Sequence, residues 1–154
     1  MTATSTVIRP LKASDYDNWR PLWDGYNTFY GRSGETALPE PVTAHTWARL
    51  TDPAQAMFGL AALRAGQMVG ITHYFPHAST DALKPNIYLQ DLFVEPGLRG
   101  GGIGRSLIEA VREQAITLGA GSVYWQTHAT NVVARRLYDA IVPANGFIVY
   151  RLGL

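Results

Sequence analysis

The 154-residue chain contains no cysteine. That excludes disulfide bonds, a thiolate nucleophile and a cysteine-ligated metal. Net charge is also missing: 13 Lys and Arg stand against 12 Asp and Glu, leaving +1. The basic residues are scattered rather than massed, so no field is present to draw in nucleic acid. No apolar run approaches the length of a membrane span, and Met1-Thr2-Ala3-Thr4-Ser5-Thr6 lacks the basic and apolar regions of a signal peptide. A cytoplasmic protein with a short flexible lead-in over residues 1–6 is expected. Histidine is sparse. His45, His73, His77 and His128 are not at zinc-protease spacing, and the His73/His77 pair is broken by Pro76, so no metal is expected. The length suits one domain, residues 1–154, with a substantial core.

What the chain does have is glycine concentrated at one place. Arg99-Gly100-Gly101-Gly102-Ile103-Gly104 lies between an apolar run, Ile87 to Val94, and a helical pattern from Ile103 to Leu118. A strand therefore enters a helix through a turn with almost no side chains. Backbone N–H groups and the helix N-terminus can point together at a diphosphate, and Arg99 and Arg105 bracket the turn with positive charge. A Walker loop would need a Lys-Ser/Thr pair that is absent, which excludes ATP in that mode. A dinucleotide fingerprint would need glycine where Arg105 stands and an acidic residue where the next strand ends, at Gln126-Thr127.

Arg99, Gly102 and Gly104 fill the pattern R-x-x-G-x-G, and Asn131, Ala134, Leu137 and Tyr138 fill N-x-x-A-x-x-L-Y after the following strand. Together, in this order, they resemble the pyrophosphate loop and tyrosine helix of the GNAT superfamily of acyl-CoA N-acyltransferases. The spacing is physically sensible, since residues seven apart on a helix share a face and lie about 10 Å apart along its axis. Asn131 and Tyr138 can thus touch one extended ligand. The resemblance implies acetyl-CoA as cofactor, held by Phe93, Val94, Arg99, Gly100, Gly101, Gly102, Ile103, Gly104, Arg105, Asn131 and Tyr138. It also implies that the Tyr138 hydroxyl protonates the departing thiolate.

The periodicity along the chain gives the same order of elements. Val7 to Leu11 suits an edge strand, and a helix follows from a capping pair, Ser14 and Asp17, with Trp19, Leu22, Trp23, Tyr26 and Tyr30 on one stripe. A second helix is read over Thr43 to Leu50. Phe58 to Leu63 and Met68 to Phe75 form a hairpin turned at Ala65-Gly66. Next come the strand Ile87 to Val94, the helix from Ile103, a strand Ser122 to Thr127, a helix carrying Tyr138 to about Ile141, and Phe147 to Arg151 as the strand that closes the sheet. The expected fold is a single-domain α/β (α+β) GNAT fold. Its mixed, mostly antiparallel twisted sheet is flanked by about four helices, and splayed central strands hold acetyl-CoA.

An alkyl ammonium has a pKa of about 10 and must lose a proton before attacking a thioester, while the leaving thiolate gains by taking one up. A base and an acid are needed. Relatives place an acidic residue in the strand before the glycine loop, and a bulge near Asp91 would aim its carboxylate into the cleft. Asp91, acting through water, is accordingly the first candidate for the base and Tyr138 for the acid, the other reading of Asp91 being a structural carboxylate that bonds backbone at the bulge. Polyamine acetyltransferases of this pattern carry an acidic pair where this chain has Gln90 and Asp91. Gln90 removes one of the two charges. Tyr26, Tyr30, Glu35, Gln90 and Trp125 are the candidate acceptor-binding residues, with the aromatics and Glu35 suited to a cationic amine. The ending from Leu137 to Arg151 looks like that of the diamine, D-amino-acid and histone-tail subgroup. The expected reaction is direct transfer of acetyl to a primary amine, with a small amine, polyamine or amino acid favoured over a protein lysine or tail. A module that binds acyl-CoA without turnover, and an interaction protein with a vestigial cleft, are the competing readings. The family's habit and an exposed strand edge suggest a homodimer.

Overall fold

The computed structural model describes residues 4–154. Five strands lie in the order β1 (Thr6–Pro10), β2 (Phe58–Arg64), β3 (Gln67–His77), β4 (Asn86–Val94), β5 (Ser122–Tyr124). The first four are antiparallel neighbours and β5 joins β4 in parallel. The β2–β3 hairpin turns on Ala65 and Gly66, both at positive φ (48° and 77°), the two-residue geometry whose twist matches the flanking strands. Parallel pairing of β5 requires a crossover, which α3 (Ile103–Thr117) supplies.

Each face of the sheet carries a core. On one face α3 packs Ile103, Leu107 and Val111 against Leu60, Ile87 and Leu89. Leu107 and Val111 are fully buried, each contributing about 1.5–3 kcal/mol. On the other face α1 (Tyr16–Phe29) and α2 (Glu40–Thr51) bury Trp19, Leu22, Trp23, Tyr26 and Leu50 against Ile71 and Phe93. The expected aromatic stripe is therefore the core of the α1 face. The last helix, α4 (Val132–Ile141), packs beside α3.

Several boundaries differ from the sequence reading. The α1 entrance is not built on Ser14 and Asp17. Instead Asp15 accepts the Lys12 backbone N–H at 2.7 Å and both arms of the Arg9 guanidinium at 2.7 and 2.9 Å. This fork and the preceding 3-10 turn, Ala13–Asp15, do the capping. Helix α2 begins at Glu40, because Pro41 in a first turn has no N–H to lose. Thr6, assigned to the flexible lead-in, pairs with Arg64, and residues 1–3 of that stretch lie outside the described residues. Strand β5 ends at Tyr124 rather than Thr127, where the Tyr88–Tyr124 stack, centroids 5.0 Å apart, closes its last pair with β4.

The largest departure is at the end of the chain. Phe147 to Arg151 forms no strand. Alternating apolar residues favour extended backbone, but a strand exists only where another strand meets its hydrogen-bonding groups. Val142 leaves α4 extended, with φ −156° and ψ 143°, as a residue before proline prefers.

Candidate active site

At the glycine turn, Gly100 and Gly102 hold φ of 84° and 83°, conformations that side chains resist. Gly102 is the N-cap of α3, and the first intrahelical bond runs from the Ser106 N–H to the Gly102 carbonyl at 3.0 Å. The N–H groups of Ile103, Gly104 and Arg105 precede any i−4 partner and remain free for an anion. Gly104 has a further reason to be glycine, since a Cβ there would lie 3.2 Å from the Leu137 side chain. Thus the two motif helices meet at Gly104. Arg99 folds back: its Nε–H donates to the Val94 carbonyl at 3.1 Å, and its guanidinium lies 5.2 Å from the Phe93 ring and 5.8 Å from Phe29. It braces the cradle's entry. Arg105 stands on the exposed side, near Glu109 at 4.0 Å.

Strand β4 pairs with β5 only from Asn86 to Tyr88. Among the described residues no strand lies beside its second edge from Leu89 to Val94, which is the expected splay. The Phe93 side chain, 8 % exposed, packs against α1, where a Cβ on Gly25 would come within 2.8 Å of its ring. What Phe93 and Val94 offer along the splay is backbone.

The register of β3 and β4 slips between His73 and Tyr74: His73 faces Asp91, and Tyr74 faces Leu89. Gln90 is the extra residue and is solvent-exposed. Ile87 and Leu89 face the α3 core, and after the slip Leu92 and Val94 do so again. The slip therefore turns Asp91 to the α1 face with Phe93. Without it, strict alternation would put Asp91 on the opposite side.

On the α1 face Asp91 meets an ordered chain of donors. The Trp19 Nε1–H donates to His73 Nε2 at 3.0 Å, and His73 Nδ1 lies 2.9 Å from Asp91 Oδ2. An indole N–H can only donate, so Nε2 carries the lone pair and Nδ1 the proton given to Asp91. The imidazole has one usable tautomer here. His73 occupies one oxygen of the carboxylate, leaving Oδ1, and the Asp91 side chain retains 11 % exposure. Burial, and then the Asp91 charge, push the Tyr26 hydroxyl far above its ordinary value, and the same causes raise Tyr30.

A cleft of about 520 Å³ opens between the end of α1 and the start of α4, lined by Phe29, Tyr30, Gly31, His128, Thr130, Asn131, Val132 and Val133. Tyr30 joins it to the interior. Asn131 caps α4, accepting the Ala134 N–H at 3.4 Å and donating to Thr127 Oγ1 at 3.0 Å, so it orders the turn at the cleft wall. Tyr138 stands edge-on to Trp125, with ring centroids 5.6 Å apart, and burial, helped by the charge of Tyr30, pushes its hydroxyl up to about 12. It stays protonated through neutral pH. Tyr26 and Tyr30 lie side by side, ring centroids 5.0 Å apart.

The structure departs from the expected cation site. The Arg32 guanidinium lies over Tyr26 at 5.7 Å and Tyr30 at 5.4 Å, so the chain's own cation faces those rings. Glu35 is exposed in the turn Gly34–Thr36 and is not gathered with the other candidates. Sequence reasoning weighed His73 and His128 only as metal ligands and Trp19 only as part of the aromatic stripe, and gave Arg32 no role. One signal was available for His73: it lies two residues from the core residue Ile71 and so shares its face. A smaller cleft of about 260 Å³, between β1 and the outer face of α3, involves none of these residues. Among the described residues no three His, Asp or Glu side chains gather as a metal cage.

The splayed β4, the N–H cradle and the two helices meeting beside it define a CoA-dependent acyltransferase fold. The sequence profile of the acetyltransferase (GNAT) family matches residues 19–141, and the chain belongs to that family as an N-acetyltransferase. It is 31 % identical over 147 residues to the D-amino-acid N-acetyltransferase of Saccharomyces cerevisiae, covering 94 % of this chain and 89 % of the relative. An uncharacterized N-acetyltransferase of Bacillus subtilis is 32 % identical over 149 residues, covering 96 % and 97 % of the two chains. In fold, the chain is similar to an aminoglycoside acetyltransferase from an uncultured soil metagenomic sample, with a TM-score of 0.80 at 21 % identity over 97 % of this chain and 95 % of that one. No described helix is long and apolar enough to cross a membrane.

Proposed function

We propose that the chain transfers acetyl from acetyl-CoA to the primary amine of a small acceptor that also carries a carboxylate, an amino acid in the first instance, and that it works as a homodimer. The observation that carries the acceptor class is Arg32, set over the Tyr30 ring beside the cleft. Its Nε is committed to Asn27 Oδ1 at 2.7 Å, which leaves the outer edge of the guanidinium for a carboxylate. A polyamine would meet repulsion there. The yeast relative's named activity on D-amino acids agrees with this reading.

The residues suit acetyl-CoA. The free N–H groups at the start of α3, with Arg99 and Arg105 close by, would hold its diphosphate, and the open β4 edge at Phe93 and Val94 its pantetheine arm, near Asn131 and Tyr138. Bound acetyl-CoA supplies the acetyl thioester. Asp91 removes the ammonium proton through Oδ1, and His73 fixes the carboxylate's orientation from Oδ2. Tyr138, protonated because burial disfavours its phenolate, gives its proton to the leaving sulfur.

The test is acetyl-CoA-dependent thiol release followed with a thiol-reactive dye. The protein has no cysteine to give background. The panel comprises D- and L-amino acids, short diamines, spermidine, aminoglycosides and a basic peptide. Release with amino acids is expected. Arg32→Ala should raise KM for them about 10- to 100-fold, the value of a charged hydrogen bond, while sparing the matching amines without carboxylates. Preference for diamines, with Arg32→Ala neutral, would overturn the acceptor assignment. Binding of CoA with no release for any amine would favour the non-catalytic reading.

A further inference from the structure

The three consecutive glycines of the turn are glycine for different reasons. Gly100 and Gly102 stand at positive φ, with open space where a Cβ would go. Gly101 lies outside that region, and the pattern R-x-x-G-x-G leaves its position free. What confines Gly101 is a side chain from across the sheet. A Cβ there would lie 3.3 Å from Arg64 Nη2 and 3.6 Å from Nη1.

Arg64 reaches the turn by strand alternation. Leu60 and Ala62 belong to the α3 core, so Arg64, two residues further along β2, comes out on the same face. Its guanidinium is held at two points. The Nε–H donates to Thr6 Oγ1 at 3.0 Å, on the residue paired with it in β1, and Nη2 donates to the Gly101 carbonyl at 3.3 Å. Among the described residues no carboxylate lies within 4.0 Å of this guanidinium. Its charge is uncompensated, beside a turn that already carries Arg99 and Arg105.

A trans peptide sets its C=O and N–H on opposite sides. Holding the Gly101 carbonyl toward β2 therefore turns the Gly102 N–H the other way, and among the described residues that N–H meets no backbone acceptor. We propose that Arg64 is a positioning residue for the diphosphate: it pins the Gly101–Gly102 peptide so that the Gly102 N–H joins the free donors at the start of α3. A turn of glycines has little of its own to keep it in one arrangement, since glycine loses more freedom on ordering than any other residue. Without the clamp, the ligand would have to order the turn as it binds, at the expense of affinity. The inference rests on the turn being the acetyl-CoA site.

Titration calorimetry with CoA is the first test. Arg64→Ala should weaken CoA binding about tenfold, the lower end for a charged hydrogen bond. With an acceptor that supports turnover, the KM for acetyl-CoA should rise by the same factor while kcat at saturation holds. Gly101→Ala keeps a backbone that alanine accepts, but its Cβ would press the guanidinium off the carbonyl. It should weaken CoA at least about twofold in the native chain and have no effect in the Arg64→Ala chain, because both changes break one bond. Native affinity in Arg64→Ala overturns the clamp. So does an undiminished effect of Gly101→Ala once Arg64 is gone, or a kcat that falls as far as KM rises, the mark of general loosening. A native chain that binds no CoA overturns the cofactor reading and the clamp together, whereas the other failures leave that reading intact.

Discussion

Replacing His73 by phenylalanine tests the polar chain that fixes Asp91. Phe and His are close in size, so the change opens little space, and its cost should come from hydrogen bonds alone. Two groups lose their partner: the Trp19 Nε1–H, in a residue 0 % exposed, and Asp91 Oδ2, in a residue 8 % exposed. An unsatisfied buried polar group costs about 1–3 kcal/mol, so the variant should lose about 2–6 kcal/mol. That is a large share of the roughly 5–15 kcal/mol that holds a domain folded. At about 2–4 °C per kcal/mol for a chain of this size, a loss of roughly 4 kcal/mol would lower Tm by about 8–16 °C, measurable by circular dichroism. Trp19→Phe combined with His73→Phe should cost less than the two single changes summed, because the pair shares one bond. In whichever fraction stays folded, kcat should fall while KM for acetyl-CoA holds. A stability loss under about 1 kcal/mol together with additive energies would refute the reasoning, since each orphaned donor or acceptor would then have found other company.

Gly102→Glu should abolish CoA binding in calorimetry, because it sets a charge and a side chain at a φ of 83° beside the free N–H groups; unchanged affinity would remove this turn from the cofactor site. Tyr138→Phe should slow turnover by about 10- to 1000-fold with CoA affinity intact, and wild-type rates would mean that another group protonates the sulfur. The Arg9 hydrogen bonds hold the Asp15 carboxyl below the usual carboxylate range. Its folded value is depressed, so this stabilisation is complete above about pH 4 and is lost as pH falls through the lower folded value. In urea titrations across acid pH, the stability gap between wild type and Asp15→Asn should therefore shrink below about pH 4; a gap independent of pH would show that Asp15 acts by packing rather than charge.

The glycine turn and the tyrosine helix were legible because they rest on backbone conformation and helical spacing, both local. Positive φ demands glycine at positions 100 and 102 whatever surrounds them. The hairpin at Ala65-Gly66 was readable for the same reason. His73 was not, since its meaning comes from Trp19, 54 residues away, and no local rule joins an indole on a helix to an imidazole on a strand. The α1 entrance misled because two acids, Asp15 and Asp17, compete for one capping role. Arg9, arriving from β1, decides for Asp15. The last strand misled most. Alternation from Phe147 to Arg151 reports a preference for extended backbone and is silent on whose sheet receives it.

The slipped register at Gln90 makes the site depend on counting as much as on chemistry. Leu89 and Asp91 are two residues apart, which regular pleating would put on one face, and the bulge at Gln90 is what sets them on opposite faces. The Gln90 side chain is exposed, so the bulge makes no packing demand on its identity. Deleting the residue would leave Asp91 next to Leu89 and still on the α1 face, whereas keeping it and flattening the bulge would send Asp91 to the α3 face, away from His73. A change that irons out this bulge with no residue lost would thus switch the site off with every side chain of its apparatus still present in the sequence.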